Sequence, residues 1–318
     1  MAPLSSDAVA ADRGPPEALA VAPDGPARVL WPGLALAMAG SIAFSGKAII
    51  VKLAYRHGVD AVTLIMYRML FALPLFALLA WWAGRGKPPL TRRDWLVVTG
   101  LGFSGYYLAS FLDFAGLLYI TASLERLILY LNPTLVLAIG VLFLGRRATP
   151  RQLIALAVSY CGVLLVFGHE VSFQGGDTAL GAALVFGSAL VYAFYMVLSG
   201  EEVGRLGALR LTGLATSIAC LFCIAQFVLL RPMSALAVAP PVIWLSVLNA
   251  TLCTFAPVLM VMMAIERVGA SVTAQTGMIG PLSTILMGVV ILGEPFTVWI
   301  LAGTVLVLSG IWLLTKWR

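Results

Sequence analysis

The stretch TASLERLILYLNPTLVLAIGVLFLGRRATPRQL, residues 121–153, has a partner later in the chain: GASVTAQTGMIGPLSTILMGVVILGEPFTVWIL, residues 269–301. One offset of 148, without a gap, aligns Ala122 with Ala270, Ser123 with Ser271, Pro133 with Pro281, Gly140 with Gly288, Gly145 with Gly293 and Thr149 with Thr297. The same offset later aligns Gly162 with Gly310. Chance likeness between apolar segments would match Leu with Val. A spaced series of Gly and Pro marks an internal duplication.

Composition sets the solvent in which the two copies fold. Of 318 residues, 61% are hydrophobic and 11% charged, with a mean hydropathy of +1.01. Soluble domains run at about 45–50% apolar and about 25% charged. Ten apolar segments stand out, at 30–54, 60–83, 95–117, 121–144, 152–168, 179–198, 211–230, 242–265, 270–292 and 296–314. Backbone polar groups in lipid must be satisfied within the segment, so these segments are read as helices. The alternation a membrane barrel requires is missing. Each copy holds five segments, an odd number, so the second copy is expected upside down relative to the first. The predicted fold is an all-α integral membrane protein of ten transmembrane helices, arranged as two inverted five-helix repeats over 29–168 and 179–316. Residues 1–28, rich in Ala and Pro, read as a disordered cytoplasmic tail rather than a secretory signal.

The positive charges orient the bundle. Fourteen Lys and Arg fall in loops and ends on the side of both termini, against three (Lys52, Arg56 and Arg231) on the other. Both termini are therefore expected in the cytoplasm, with the chain in the inner membrane. Positive charge at helix ends explains the net +6 without a nucleic-acid partner. The four cysteines read as buried thiols, and the two histidines, His57 and His169, fall in expected loops. No metal site or cofactor is expected. GLGFSG, residues 100–105, matches a dinucleotide fingerprint, but lies in a membrane helix and not after a strand. Its small residues suit close helix packing.

Five charges stand clear of the helix ends: Lys47, Arg68, Asp113, Glu125 and Arg126. Each costs about 2.5–3.5 kcal/mol to insert. At about 1.5 Å per residue, all five fall roughly 4–10 Å outside the membrane centre. All belong to the first repeat, since the offset puts Thr273 and Ala274 opposite Glu125 and Arg126. Two readings stand side by side: a structural network joining helices one to four, or a lining for a substrate path. Three positive and two negative charges suit a substrate with a carboxylate, and an amino acid carries both signs. Glu125 and Arg126 point about 100° apart on a helix and need different partners. Glu125 is expected to meet Lys47 or Arg68, and Arg126 to meet Asp113. Carboxylates in a low dielectric hold protons more readily than in water, which makes Asp113 and Glu125 the candidates for proton coupling.

Pro133 and Pro281 each lack an N–H and should kink their helices, freeing the carbonyls of Leu129 and Gly277. Tyr107, Tyr192 and Gln275 are further candidates for substrate binding or gating.

The Ala-Ser and Pro repeated in both copies, with LGEPFT before the last segment, resemble the drug/metabolite transporter superfamily. Within it, the chain resembles the bacterial family built from two EamA domains, over nearly its whole length. That resemblance implies a secondary transporter of a small metabolite, working by alternating access between the repeats and more often exporting than importing. It leaves drugs, cations and nucleosides open as substrates. Arg146 departs from the pattern, because relatives carry Gly-Glu there, so a role tied to that Glu carries over only to Glu294. A channel is the competing class. An enzyme would need a nucleophile–base pair or metal ligands, which these segments lack. The expected partners are a small-molecule substrate, the bilayer and candidate protons. Nothing chooses between monomer and dimer.

Overall fold

The computed structural model describes residues 30–145, 149–174 and 177–316. Among the described residues every regular element is helical and no strand occurs. The expected tail over 1–28 and Arg146 lie outside them. Helix α1 covers Leu30–Tyr55 and α2 Ala61–Gly84. The third segment runs through α3 (Arg92–Leu101), a π-helical stretch (Gly102–Leu108) and α4 (Ala109–Gly116). The fourth is split into α5 (Ala122–Leu129) and α6 (Asn132–Leu144). There follow α7 (Pro150–Gln174), α8 (Asp177–Leu206) and α9 (Ala208–Leu230). The last part holds α10 (Pro240–Ala250), a π stretch (Thr251–Phe255), α11 (Ala256–Thr276), α12 (Ile279–Met287), a π stretch (Gly288–Leu292) and α13 (Val298–Lys316).

Eight helical runs are long and apolar enough to cross a membrane, and Ile279–Leu292 and Val298–Leu313 are shorter apolar helices. Leu142, Leu229 and Val290 lie more than 70% exposed, which suits lipid and not water. Local chemistry sets the helix starts. Asp60 accepts from the N–H groups of Val62 and Thr63 at 3.0 and 3.2 Å, and Thr91 and Asp94 form a reciprocal capping box. Thr121 accepts from Leu124 N at 3.1 Å and so starts α5.

Two boundaries differ from those expected. α7 continues past residue 168, so His169 lies in a helix, stacked on the Trp299 ring at 5.8 Å. No proline or glycine intervenes between Glu170 and Gln174 to stop it. The expected loop at 266–269 is assigned to the single run α11. The chain nevertheless doubles back within α11. Gly40 packs against Met260 and Val261, while its neighbour Ser41 donates to the Gly277 carbonyl at 2.7 Å. A straight helix would hold Met260 and Gly277 roughly 25 Å apart.

The offset of 148 reappears in the backbone. It lays the π stretch at 251–255 on 103–107, and left-handed Gly293 (φ +72°) on left-handed Gly145 (φ +63°). The helix break at Tyr130–Leu131 falls within one residue of the break at Gly277–Met278. The helices pack in cross-repeat pairs: α1 along α11 and α12, α2 on α9, α4 on α8, α5 on α12 and α7 on α13. Gly162 and Gly303 let the last pair touch, since a Cβ on either would come within 2.7 Å of the other's carbonyl oxygen. The largest core cluster, with Leu64, Ile65, Phe76, Phe114 and Leu117, lies among α1, α2 and α4.

Candidate functional site

Lys47 on α1, Arg68 on α2, Asp113 on α4, and Glu125 and Arg126 on α5 are all buried; none exposes more than 6% of its surface. The Lys47 ammonium lies 2.5 Å from Asp113 Oδ2 and 3.1 Å from Glu125 Oε1. The second contact has ion-pair distance but not the angle of a hydrogen bond. One ammonium thus serves two carboxylates. The expected Glu125–Lys47 contact is present.

The expected Arg126–Asp113 contact is not. With Glu125 turned to Lys47, the next residue faces about 100° away, toward α12. There Arg126 donates through Nε to Thr284 Oγ1 at 2.9 Å and through Nη2 to the Phe44 carbonyl at 3.2 Å. Arg68 repeats the pattern: Nε donates to Thr254 Oγ1 at 3.1 Å, and the guanidinium sits 5.1 Å from the Phe114 ring centre. Among the described residues neither arginine has a carboxylate at ion-pairing distance. Among the described residues, Arg68 Nη1, Asp113 Oδ1 and both carboxylate oxygens of Glu125 are buried without a hydrogen-bond partner, Oε1 having only its ion pair with Lys47. Orphaned polar atoms are rare in a folded interior. Four in one layer make it fit to receive a polar ligand.

Both prolines act at the helix breaks. Pro133 opens α6 in its first turn, and the Leu129 carbonyl accepts from Asn132 Nδ2 at 2.8 Å. Pro281 lies in the first turns of α12, and the Gly277 carbonyl accepts from Ser41 Oγ at 2.7 Å and Tyr130 OH at 2.8 Å. Tyr107 packs in an aromatic patch with Phe103 and Phe222, their ring centres 5.3 and 5.7 Å away. Tyr192 stacks on Tyr195 at 5.5 Å, in the cluster around Val98 and Leu211. Neither ring hydrogen-bonds to the charged layer among the described residues. The side chain of Gln275 lies outside the described residues.

Several polar contacts escaped the reading of the sequence. Thr254 and Thr284 each have another hydroxyl close by in sequence, Thr251 and Ser283, and only the tertiary fold selects between them. Glu170 is buried and accepts a hydrogen bond from Thr121 Oγ1. Its signal was a carboxylate five residues from a double glycine. Glu294 sits in a cleft of about 490 Å³, lined also by Lys52, Tyr55, Arg56 and Thr121. Cys220, Cys223 and Cys253 are buried thiols as expected, but Cys161 is exposed. Among the described residues no group of three His, Cys, Asp or Glu could hold a metal ion.

Membrane-length helices around a buried charge layer define a polytopic membrane protein with a polar interior. The chain belongs to the EamA-like transporter family, whose model matches residues 31–168 and 179–316. It carries two EamA repeats and is a membrane transporter. It is 29% identical over 270 residues to the uncharacterized transporter YcbK of Bacillus subtilis, covering 82% of this chain and 86% of that one. An uncharacterized transporter of Archaeoglobus fulgidus is 28% identical over 193 residues, 60% of this chain and 64% of its own length. A crystal structure superposes with a TM-score of 0.61 at 16% identity, covering 90% of this chain and 96% of the other, which speaks for the fold alone.

Proposed function

We propose that the chain is a secondary carrier that exports a small metabolite bearing a carboxylate, an amino acid in the simplest case. It works by alternating access between two inverted five-helix repeats, with ten helices in the inner membrane and both termini in the cytoplasm. Arg68 and Arg126 carry this reading. Both are buried and paired with hydroxyls of the other repeat, without a carboxylate at ion-pairing distance among the described residues. A guanidinium in that state is a ready fork for a carboxylate. Both hydroxyl partners, Thr254 and Thr284, come from the second repeat, so rocking of the repeats changes both contacts.

The packing pattern supports a two-fold relation between the repeats, and the odd number of segments in each makes it an inverted one. Number the segments one to ten, and exchange each with the one five places away. Contacts one–eight and three–six then swap, as do one–nine and four–six, while two–seven, four–nine and five–ten map onto themselves. A pseudo-two-fold axis between the repeats produces such a set. Asp113 and Glu125, sharing one ammonium, are the candidate proton carriers.

Counterflow in proteoliposomes tests the reading, over amino acids, organic anions, nucleosides and cationic drugs, with and without a pH gradient. Saturable exchange of carboxylate-bearing solutes is expected. Movement of permanent cations alone overturns the substrate class, and fast non-saturable flux overturns the carrier.

A further inference from the structure

The carboxylate of Glu294 crosses from the second repeat to the first. Its Oε1 accepts from Ala122 N at 2.7 Å, and its Oε2 accepts from Ser123 Oγ at 2.9 Å and Ser123 N at 3.3 Å. It thus caps the start of α5, the helix that carries Glu125 and Arg126. Opening N–H groups of a helix carry partial positive charge, so an anion held there is favoured.

The backbone around Glu294 is shaped for this contact. The π stretch Gly288–Leu292 ends at Gly293, whose φ of +72° turns the chain, and Glu294 N donates back to the Gly288 carbonyl at 3.0 Å. Gly288 leaves the space the carboxylate fills, for a Cβ there would lie 2.8 Å from Glu294 Oε2 and 3.6 Å from Ser123 Oγ. The contact borders the open cleft of about 490 Å³ that Thr121 lines. Glu125 lies one turn beyond Thr121 on α5, with Glu125 N bonded to the Thr121 carbonyl at 3.0 Å. Glu294 therefore lines the cleft and holds the start of the helix that carries two of the buried charges. The position related to it by the offset of 148 is Arg146, which offers no acceptor. The sequence supplies the acid at this position in the second repeat alone.

We propose that Glu294 is a gating residue: its carboxylate latches the hairpin between α12 and α13 onto α5 and closes the charge layer off from the cleft. This rests on the alternating-access reading but on no substrate. Opening moves the hairpin away, hands the Ala122 and Ser123 donors to water and uncovers both residues, which are fully buried in the latched state.

The test uses the full chain in nanodiscs, with the four native cysteines replaced by Ala and Ala122→Cys as reporter, because Ala122 is as fully buried as Ser123 and its substitution keeps both the backbone donors and the Ser123 hydroxyl of the latch. Labelling by a membrane-impermeant maleimide is timed without substrate. Glu294→Ala removes the latch. Gly288→Ala keeps the glutamate but fills its space, and Gly288 has an ordinary helical φ of −58°, so alanine fits the backbone there. Both variants should speed labelling by at least about tenfold, the scale of losing one charge-assisted hydrogen bond. Glu294→Gln, which keeps an acceptor, should fall between. Unchanged labelling in both alanine variants, with unchanged melting and elution, overturns the latch and leaves the carrier reading standing. Faster labelling beside a failed solute panel overturns the substrate class alone.

Discussion

The hydroxyl of Tyr130 lies 2.8 Å from the carbonyl oxygen of Gly277, joining the break in one repeat to the break in the other. Ser41 on α1 donates to the same oxygen at 2.7 Å. Gly280, next to the break, has no room for a side chain, because a Cβ would lie 2.5 Å from the Tyr130 oxygen. A proline frees a carbonyl, and a carbonyl buried away from water must find a donor. Here it finds two, both from the opposite repeat.

Single removal of either donor should therefore be mild and joint removal severe. Tyr130→Phe or Ser41→Ala leaves one donor and should cost about 1 kcal/mol. The double variant strands the oxygen and should cost about 1–3 kcal/mol more than the sum of the singles. Thermal melts of purified protein in detergent, run as a double-mutant cycle, measure this. Additive effects would mean that water reaches Gly277.

Much of this arrangement is legible in the chain, for identifiable reasons. Pro133 and Pro281 announce freed carbonyls because proline lacks an N–H whatever surrounds it. The shared offset of Gly145 and Gly293 shows because only glycine takes φ > 0 easily. Similar height narrowed the partner of Glu125 to Lys47 or Arg68, and the fold chose Lys47. The partner of Arg126 could not be read, because helical spacing separates neighbours by angle but does not say which way the helix is rotated. Thr254 and Thr284 were hidden for another reason: hydroxyls are common in apolar helices and usually bond their own backbone. Glu170 lies past the hydropathy boundary at 168, but the helix runs on to Gln174 and carries it inward to Thr121.

At the loop between α1 and α2, Asp60 pairs with Arg231 at 3.0 Å and caps α2. Partial burial pushes its pKa up, but hydrogen bonds from Thr63 and Val62 and the Arg231 charge outweigh it, so the net value lies below the ordinary 3.8. A depressed folded value stabilises at pH above the unfolded one, and the benefit disappears as pH falls through the folded value. Asp60→Asn keeps a capping acceptor and loses the charge. It should melt about 1–3 °C lower than the parent at pH 7, as expected for a half-exposed pair. The gap should persist at every pH above the unfolded value and close as pH falls through the depressed folded one. A constant gap throughout would assign it to capping instead.

Lys47 neutralises two buried carboxylates at once, so Lys47→Met should be among the most damaging single changes. It leaves Asp113 and Glu125 facing each other without a cation, and breaking a buried pair costs about 3–5 kcal/mol. Asp113→Asn alone should be milder, because Glu125 remains to pair with Lys47. The double variant Lys47→Met with Asp113→Asn should recover part of the loss in a melting cycle, which a lysine serving only to fill space would not produce. Transport should fail in Lys47→Met and in the double variant, since neither retains the ammonium.

Arg126 separates substrate binding from scaffolding. Arg126→Lys keeps the positive charge but gives up the planar fork, and one ammonium cannot reproduce both the Nε bond to Thr284 and the Nη2 bond to Phe44. If the guanidinium receives the substrate carboxylate, KM for carboxylate-bearing solutes rises about tenfold, about 1.4 kcal/mol, with little change in maximal rate. Solutes without a carboxylate should be unaffected. Thr284→Val removes the hydroxyl and leaves Arg126 charged, so its effect on KM should be smaller. A purely structural arginine gives another pattern: Arg126→Lys would lower the melting temperature and reduce every flux by a similar factor. Initial-rate uptake over a concentration series, with melts of the same preparations, distinguishes the two, because only a binding role links the loss to the carboxylate of the solute.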